Sequence, residues 1–455
     1  MRLSEAARVL GAELHGADAE FAGVSTDSRT LARGDLFVAL KGERYDGHTY
    51  LAAVAAAGAA AAIVARGTLL TATGCPQLVV DDPERALAAL AKNWRARFAL
   101  PLVALTGSNG KTTVKEMLAS ILRVAAGAEA GVLATQGNLN NHLGVPLTLL
   151  RLRDAHRYAV VEMGMNHTGE IRHLTRLATP DVALVINAGT AHIEFLGSRE
   201  AIAQAKGEIF EGLKADGTAL INADDVFAPL WRERAAAYRR LEFGLEQPAA
   251  VHATYQLREF DSEIRLTTPL GSVTAVVPAP GLHNVQNAVA ASAAAAALKL
   301  APGIIASGLA QFTGAKGRLQ RKTGADGATV IDDTYNANPD SARAAIGVLA
   351  MTRGARVLVL GDMGELGPDG PALHAEVGEF ARASGVERLY TLGTLSARAT
   401  DAFGAGARHF AQVDELMAAL RGACGPGTTV LVKGSRFMRM ERVVAALTGE
   451  TAGAH

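Results

Sequence analysis

Gly107-Ser108-Asn109-Gly110-Lys111-Thr112-Thr113 is the stretch whose residue types and spacing could do chemistry. Bare backbone N–H groups on a glycine turn at the start of a helix hold a phosphate, helped by the positive end of the helix dipole. Lys111 would neutralise the outer phosphates, and the Thr112 hydroxyl would ligate Mg²⁺. The usual G-x-x-x-x-G-K-[ST] pattern is not met, because position 105 is Leu. What stands here is the shorter T-G-x-x-G-K-T-T form. An incidental Lys on a Gly-rich turn is the plain alternative. It is disfavoured because strand, loop, Lys-Thr-Thr and helix arrive in the required order. ATP binding follows from this loop. The reaction does not, since many enzyme classes use phosphate loops.

Three further side chains stand where a site would need them: Glu162 at the end of Tyr158-Ala159-Val160-Val161, His192 after the run Val182 to Asn187, and Lys206 on the following helix. Glu162 and His192 could each ligate Mg²⁺. Singly, each is better explained by surface or core placement. Together, at strand ends behind a phosphate loop, they read as a site.

The elements that must position these residues follow from periodicity. Pro101 to Leu105 is short and apolar, as a buried strand is, and Val114 to Val124 has helical spacing. After the loop the pattern alternates strand and helix: strands at Tyr158 to Met163, Val182 to Asn187 and Thr218 to Asn222, helices at Gly169 to Ala178 and Arg199 to Leu213. The fold class is therefore α/β, with a largely parallel central sheet covered on both faces. Ligands in such sheets gather at the carboxyl ends of strands. From 245 to 280 the pattern becomes antiparallel: His252 to Phe260, Glu263 to Thr268 and Ser272 to Val277 read as an inserted ribbon or small sheet. Gly281-Leu282-His283-Asn284-Val285-Gln286-Asn287 then opens an Ala-rich helix. Its amides and imidazole suit an adenine edge, and an N-cap by Asn284 explains them equally well.

Residues 1–97 read as a small α/β unit, with strands at Asp35 to Leu40 and Gln77 to Val80 and helices at Tyr50 to Ala65 and Glu84 to Phe98. Between them lie Ser25-Thr26-Asp27-Ser28-Arg29 and Lys41-Gly42-Glu43-Arg44-Tyr45-Asp46-Gly47-His48. Their hydroxyls, cations and glycines could hold a uracil edge and a diphosphate, although composition alone favours ordinary solvated loops. Residues 98–315 form the central unit and 316–455 a third, again α/β, with strands at Thr329 to Ile331, Arg356 to Leu360, Arg388 to Thr391 and Thr428 to Val432. Loops 332–339, 361–367 and 433–436 fall on the ligand rim of that third sheet.

Bulk composition agrees. A chain of 455 residues suggests about three domains. Lys+Arg and Asp+Glu both number 45, which argues against a nucleic-acid or anionic-membrane partner held by net charge. Cys75 and Cys424 form no metal or redox pattern and suit a reducing compartment. The N-terminus has an early acid and no apolar core, unlike a signal peptide. The most apolar run, Leu51 to Ala65, is too short to span a bilayer. A cytoplasmic, monomeric protein is expected.

Six motifs in order resemble the Mur ligases, ATP-dependent amide ligases of peptidoglycan assembly. They are Ser25 to Arg29 with Asp35 to Gly42, Thr106 to Thr113, Gly137-Asn138-Leu139-Asn140-Asn141-His142-Leu143-Gly144-Val145-Pro146, Val161 to Asn166, Asp332 to Pro339, and Leu431 to Arg436. The resemblance covers nearly the whole chain. It is strongest to the branch that adds D-alanyl-D-alanine to UDP-N-acetylmuramoyl-tripeptide. The sibling that adds a diamino acid carries a D-N-P-R-type loop, and this chain has none; Asp362-Met363-Gly364-Glu365-Leu366-Gly367 occupies the comparable region.

The resemblance implies three domains: one for the UDP end of the substrate, a central ATPase, and a Rossmann-like C-terminal domain that closes over the nucleotide. It implies activation of a carboxylate as an acyl phosphate, then attack by an amine. Thr112 and Glu162 would hold one Mg²⁺ and His192 another, with Lys206 carbamylated into an anionic ligand. Asn284 and Asn287 would face adenine, Asp333 the ribose, and Arg318 the γ-phosphate, while Asn138, Asn140 and Asn141 would contact the peptide. The alternatives are the diamino-acid-adding sibling, folylpolyglutamate synthase (which lacks a UDP-binding domain), a kinase, and an ATP-switched binding protein without bond-forming activity.

Overall fold

The computed structural model describes residues 1–43, 45–68, 74–191 and 193–450. Three sheets organise it, of five, nine and six strands in chain order.

The nine-stranded sheet is centred on Leu102–Thr106, buried at every position. Such an unbroken apolar run belongs to a parallel strand covered on both faces. Tyr158–Glu162 and then Val132–Ala134 lie on one side of it, and Val182–Val185, Thr218–Asn222 and Arg239–Gly244 on the other, all parallel. Chain order thus reverses at Leu102–Thr106, and the crevice beyond its carboxyl end is where a ligand sits. The register puts Leu105 opposite Glu162 and Thr106 opposite Val185, which brings Glu162 beside the phosphate loop.

The antiparallel segment is not a separate insert. Val251–Leu257 pairs in parallel with Arg239–Gly244, and Ser262–Thr268 and Gly271–Val277 extend the same sheet as antiparallel edge strands. Helices Lys111–Ala126, Leu282–Ala297 and Pro302–Ala310 cover one face. Their Ala and Gly content permits close approach: a Cβ on Gly308 would lie 2.3 Å from the Ile121 Cα.

In the five-stranded sheet, residues 61–65 depart from expectation. Tyr50 to Ala65 is not one helix. Helix Leu51–Ala56 is followed by Gly58 at φ +88°, and Ala61–Ala65 is a buried strand parallel to Leu36–Val38. Alanine runs carry no period of their own; the left-handed glycine and β-branched Ile63-Val64 decide the matter. Helix Pro83–Arg95, capped by the Asp82 carboxylate, ties this unit to the central one: Trp94 Nε1 donates to the Leu152 carbonyl at 3.1 Å.

The six-stranded sheet contains the four expected strands plus two edges, Gln320–Thr323, antiparallel to Thr329–Asp333, and Ala407–Phe410. The carboxyl ends of Thr329–Asp333, Ala355–Gly361 and Thr428–Lys433 face the central sheet's ligand crevice. No helix among the described residues is long and apolar enough to cross a membrane.

Candidate active site

Gly110, at φ +82°, turns the chain into helix Lys111–Ala126. Any side chain there would meet Asn287 Oδ1 at 2.3 Å, so the turn requires glycine twice over. Asn187 braces the loop: its carbonyl accepts from Ser108 N at 3.1 Å, and its Oδ1 accepts from Asn109 N at 3.0 Å. Gly189 N donates to Ser108 Oγ at 2.9 Å. The Lys111 ammonium curls over the loop onto the carbonyls of Gly107 (2.7 Å) and Ser108 (3.3 Å). Burial lowers its pKa, and Glu162 opposes that shift.

Glu162 is 2% exposed and fully engaged. Its two oxygens accept from Thr112 Oγ1 at 3.1 Å and Asn140 Nδ2 at 2.8 Å. Arg318, from the C-terminal side, reaches the Thr112 hydroxyl at 3.5 Å and stacks over Tyr335 at 4.2 Å. Its Nε is buried without a partner among the described residues, a donor left for an anion. Lys206, from helix Arg199–Gly207, is 1% exposed. Burial first, then repulsion from Lys111, pushes its pKa well below the ordinary lysine value, and no acid among the described residues opposes the shift. Burial thus favours the neutral amine over the ammonium. His192 lies outside the described residues.

Ser108, Asn109, Gly110, Lys111, Glu162 and Arg318 line a cavity of about 670 Å³ between the central sheet and the C-terminal body, and Lys206 lies outside its lining. Asn138, Asn140, Asn141 and His142 form one wall; residues 335–338, 364–366 and 435–437 form the other. Asn141 is partly committed, its Oδ1 accepting from the N–H groups of Leu143 and Gly144 at the start of helix Gly144–Leu150. A second cavity of about 390 Å³ adjoins it, lined by Thr113, His283, Asn284, Asn287, Asp333 and Lys433 among others. Asn284 donates to the Pro280 carbonyl and Asn287 to Asn284 Oδ1, so the amides are oriented before any ligand arrives. Burial holds the His283 imidazole at about 4, hence neutral.

Asp333 is the end of a buried ion pair: Lys433 Nζ lies 2.5 Å from its Oδ2, and Leu319 N donates to its Oδ1. Sequence reasoning gives Lys433 no role, although its Lys-Gly-Ser-Arg motif is conspicuous. It also misses two further contacts. Asn338 Nδ2 donates to Asn109 Oδ1 at 2.9 Å, and Asp340 Oδ2 accepts from Thr190 Oγ1 at 3.0 Å and Thr190 N at 3.2 Å. They join the C-terminal body directly to the phosphate-loop region. Asn338-Pro339 with Ser341 is a helix-start signature, and that signal alone places Asp340 on an exposed first turn.

The N-terminal cluster stands apart; none of Thr26, Asp27, Ser28, Arg29, Lys41, Gly42 and His48 lines either cavity. Asp27 pairs with Arg29 at 2.6 Å and is held at about 2 by that hydrogen bond. His48 is held by the fold: Nδ1 bonds Asp46 at 2.6 Å and Nε2 accepts from Ala65 N at 3.0 Å, so both ring nitrogens are engaged in this structure.

A buried carboxylate, a hydroxyl and a capping lysine around a phosphate loop can bind a nucleoside triphosphate and place a second anion against its last phosphate. Family models place the chain accordingly: "Mur ligase family, catalytic domain" matches residues 20–95, "Mur ligase middle domain" residues 105–295, and "Mur ligase, glutamate ligase domain" residues 317–436. The chain is 42% identical to UDP-N-acetylmuramoyl-tripeptide–D-alanyl-D-alanine ligase of Escherichia coli over 98% of both chains. Against the Bacillus subtilis enzyme of that name the identity is 37%, over 93% of both. Its structure matches MurF from Acinetobacter baumannii with a TM-score of 0.90 at 38% identity, over 98% of both chains. It matches MurF ligase from Thermotoga maritima in complex with ADP at 0.82 and 28%, over 94% of this chain and 97% of that one. Sequence, architecture and site agree, and this chain belongs to the Mur ligase family.

Proposed function

We propose that this chain joins D-alanyl-D-alanine to UDP-N-acetylmuramoyl-tripeptide through an acyl phosphate, giving the pentapeptide, ADP and phosphate. The observation that carries the reading is the large cavity, with Lys111 and Glu162 on its central wall and Arg318 entering from the C-terminal body. The relatives named for this reaction align over nearly the full chain.

Carboxylate attack on a γ-phosphate brings anion against anion, so the barrier falls only where cations face both. Lys111, now on loop carbonyls, turns to the phosphates. Arg318 supplies the second cation, its Nε buried without a partner among the described residues. Contacts across the seam exclude water that would hydrolyse the acyl phosphate. Residues 1–97 would take the UDP end, 98–315 the ATP, and 316–455 would close the site and receive the amine.

Magnesium fits the donor set. Thr112 and Glu162 offer hard oxygens, and among the described residues no three His, Cys, Asp or Glu side chains form a cage. Mg²⁺ favours such sparse sites, completing its shell with water and phosphate oxygen. When bound, it would neutralise charge between the phosphates. Lys206, whose burial favours the uncharged amine, would react with CO₂ and lose a proton to give a carbamate, a further oxygen ligand. We assign the protein to the cytoplasm, where this substrate is made, and read it as a monomer.

The test is phosphate release from UDP-N-acetylmuramoyl-tripeptide, ATP and Mg²⁺, with and without D-alanyl-D-alanine. Release that requires the dipeptide, with a pentapeptide by mass, supports the reading. Release only with UDP-N-acetylmuramoyl-dipeptide and a diamino acid overturns it in favour of the sibling reaction. Silence in both removes the ligase reading.

A further inference from the structure

His374 is a buried titratable group that the proposed mechanism does not use. It lies on helix Gly370–Ala383, is 0% exposed, and makes two hydrogen bonds. Met363 N donates to its Nε2 at 2.9 Å, so that nitrogen carries no hydrogen. Nδ1 must then bear it, donated to the Gly370 carbonyl at 2.6 Å. A neutral imidazole in one tautomer satisfies both partners; an imidazolium would set a donor against the Met363 N–H.

The bond to Met363 matters because the next three residues reach the site. Gly364, Glu365 and Leu366 line the large cavity on the side opposite Lys111 and Glu162. Glu365 holds φ +61°, a left-handed conformation that a side-chain-bearing residue keeps only when its surroundings enforce it. Three anchors do so. Asp362 accepts from Thr394 N and Ser396 N, each at 2.8 Å; Met363 N is held by His374; Gly364 N donates to Ser435 Oγ at 2.9 Å. The first and third tie the loop to neighbouring strand ends. The middle one is the loop's bond to helix Gly370–Ala383.

We infer that His374 is a positioning residue for the second half-reaction: it fixes the 362–366 loop, and through it the shape of the cavity end that receives the incoming amine. The inference rests on the ligase reading. It separates two chemical steps. Acyl phosphate formation uses Lys111, Glu162 and Arg318, none of which is on this loop. Saturation by the amine depends on the loop.

An isosteric pair makes the test. The side-chain oxygen of Gln reaches the place of Nε2 and keeps the Met363 bond. Asn is shorter, covers only the place of Nδ1, and loses it. His374→Asn is expected to raise KM for D-alanyl-D-alanine about tenfold, the scale of one lost buried hydrogen bond, while His374→Gln stays within about twofold of wild type. Hydroxamate formation with hydroxylamine, a nucleophile too small to need the loop, should be alike in all three proteins. Equal KM values for Asn and Gln, or a parallel fall in hydroxamate and amide formation, would overturn the inference. Amide hydrogen exchange on the unmodified chain gives an independent arm: Met363 N–H should be protected as well as strand Ala355–Gly361, and rapid exchange there also overturns it. Failure of the ligase reading itself would show in the wild-type chain, before any variant is compared.

Discussion

The central and C-terminal sides of the two adjoining cavities are built on opposite electrostatic plans. On the central wall, the charges are incompletely answered by protein. Lys111 rests on carbonyls, Lys206 has no acid among the described residues to offset its burial, and Glu162 accepts only neutral donors. On the C-terminal side, Arg318 apart, the buried charges are satisfied internally. Lys433 pairs with Asp333 at 2.5 Å and donates to the Asn336 carbonyl at 2.9 Å, and Asp362 accepts two backbone N–H groups. The central wall is complete only with a charged ligand, whereas the C-terminal wall can move as a finished surface. Most of the chemistry resides on the first, and closure of the second adds Arg318 to it.

The comparison breaks most readily at Lys111. Lys111→Ala removes the cation that the phosphate loop itself offers the outer phosphates, and phosphate release should fall by about 10³-fold or more. The melting temperature should hardly change, since only two carbonyl bonds near the cavity are lost. A variant that keeps a tenth of its activity would place the essential cation on the other wall.

Asp333→Ala probes the finished surface and should act mainly on stability. It leaves the Lys433 ammonium buried without its acid, which costs about 3–5 kcal/mol where a buried pair is broken on one side. The double change Asp333→Leu with Lys433→Met should recover most of that loss, read by denaturant titration, without recovering nucleotide affinity. If the single variant is as stable as wild type, the pair is not what organises that wall.

Lys206 gives the converse sign. Its folded pKa lies below that of the unfolded chain, so the unfolded state holds the proton more tightly. The resulting penalty is present at low and neutral pH and vanishes as pH rises through the unfolded value of 10.5. In buffer purged of bicarbonate, Lys206→Met should therefore raise the melting temperature at pH 7, with a gain that shrinks toward pH 10. Activity should be lost and partly restored by short carboxylates in the case of Lys206→Ala. A stability loss at pH 7 would mean that the amine is paired after all.

This division explains what was legible in the sequence. The central wall follows from local rules: a strand, a glycine turn and a helix in succession, with Glu162 one strand away. The parallel sheet and its ligand crevice were readable for the same reason. The Ala61–Ala65 strand was not, because alanine runs carry no helical or strand period. Edge strands such as Gln320–Thr323, with its alternating exposure and polar side chains throughout, were invisible to a search for apolar runs. The Asp333–Lys433 pair spans 100 residues, and no local pattern announces which acid a distant lysine will meet. The engagement of His48 is illegible for a related reason: no local pattern announces that its Nε2 meets the Ala65 N–H, 17 residues on.

The seam between the walls offers the smallest and most specific effect. Asp340 reaches across it to the Thr190 hydroxyl and N–H, while its remaining oxygen faces Arg343 at 3.7 Å. Neither partner is deeply buried, so Asp340→Ala should leave the fold intact. What it loses is a charge-assisted contact made only when the walls are together, worth about 1.5–3 kcal/mol at most. The closed population, and with it kcat/KM, should drop about tenfold, whereas ATP binding to the central wall should persist. Thr190→Val removes one of the same two bonds and should add little to Asp340→Ala, since the two changes delete one interaction. Additive losses would show that Asp340 acts elsewhere, and that closure of the finished wall onto the unfinished one is held by other contacts, the Asn338 to Asn109 bond first among them.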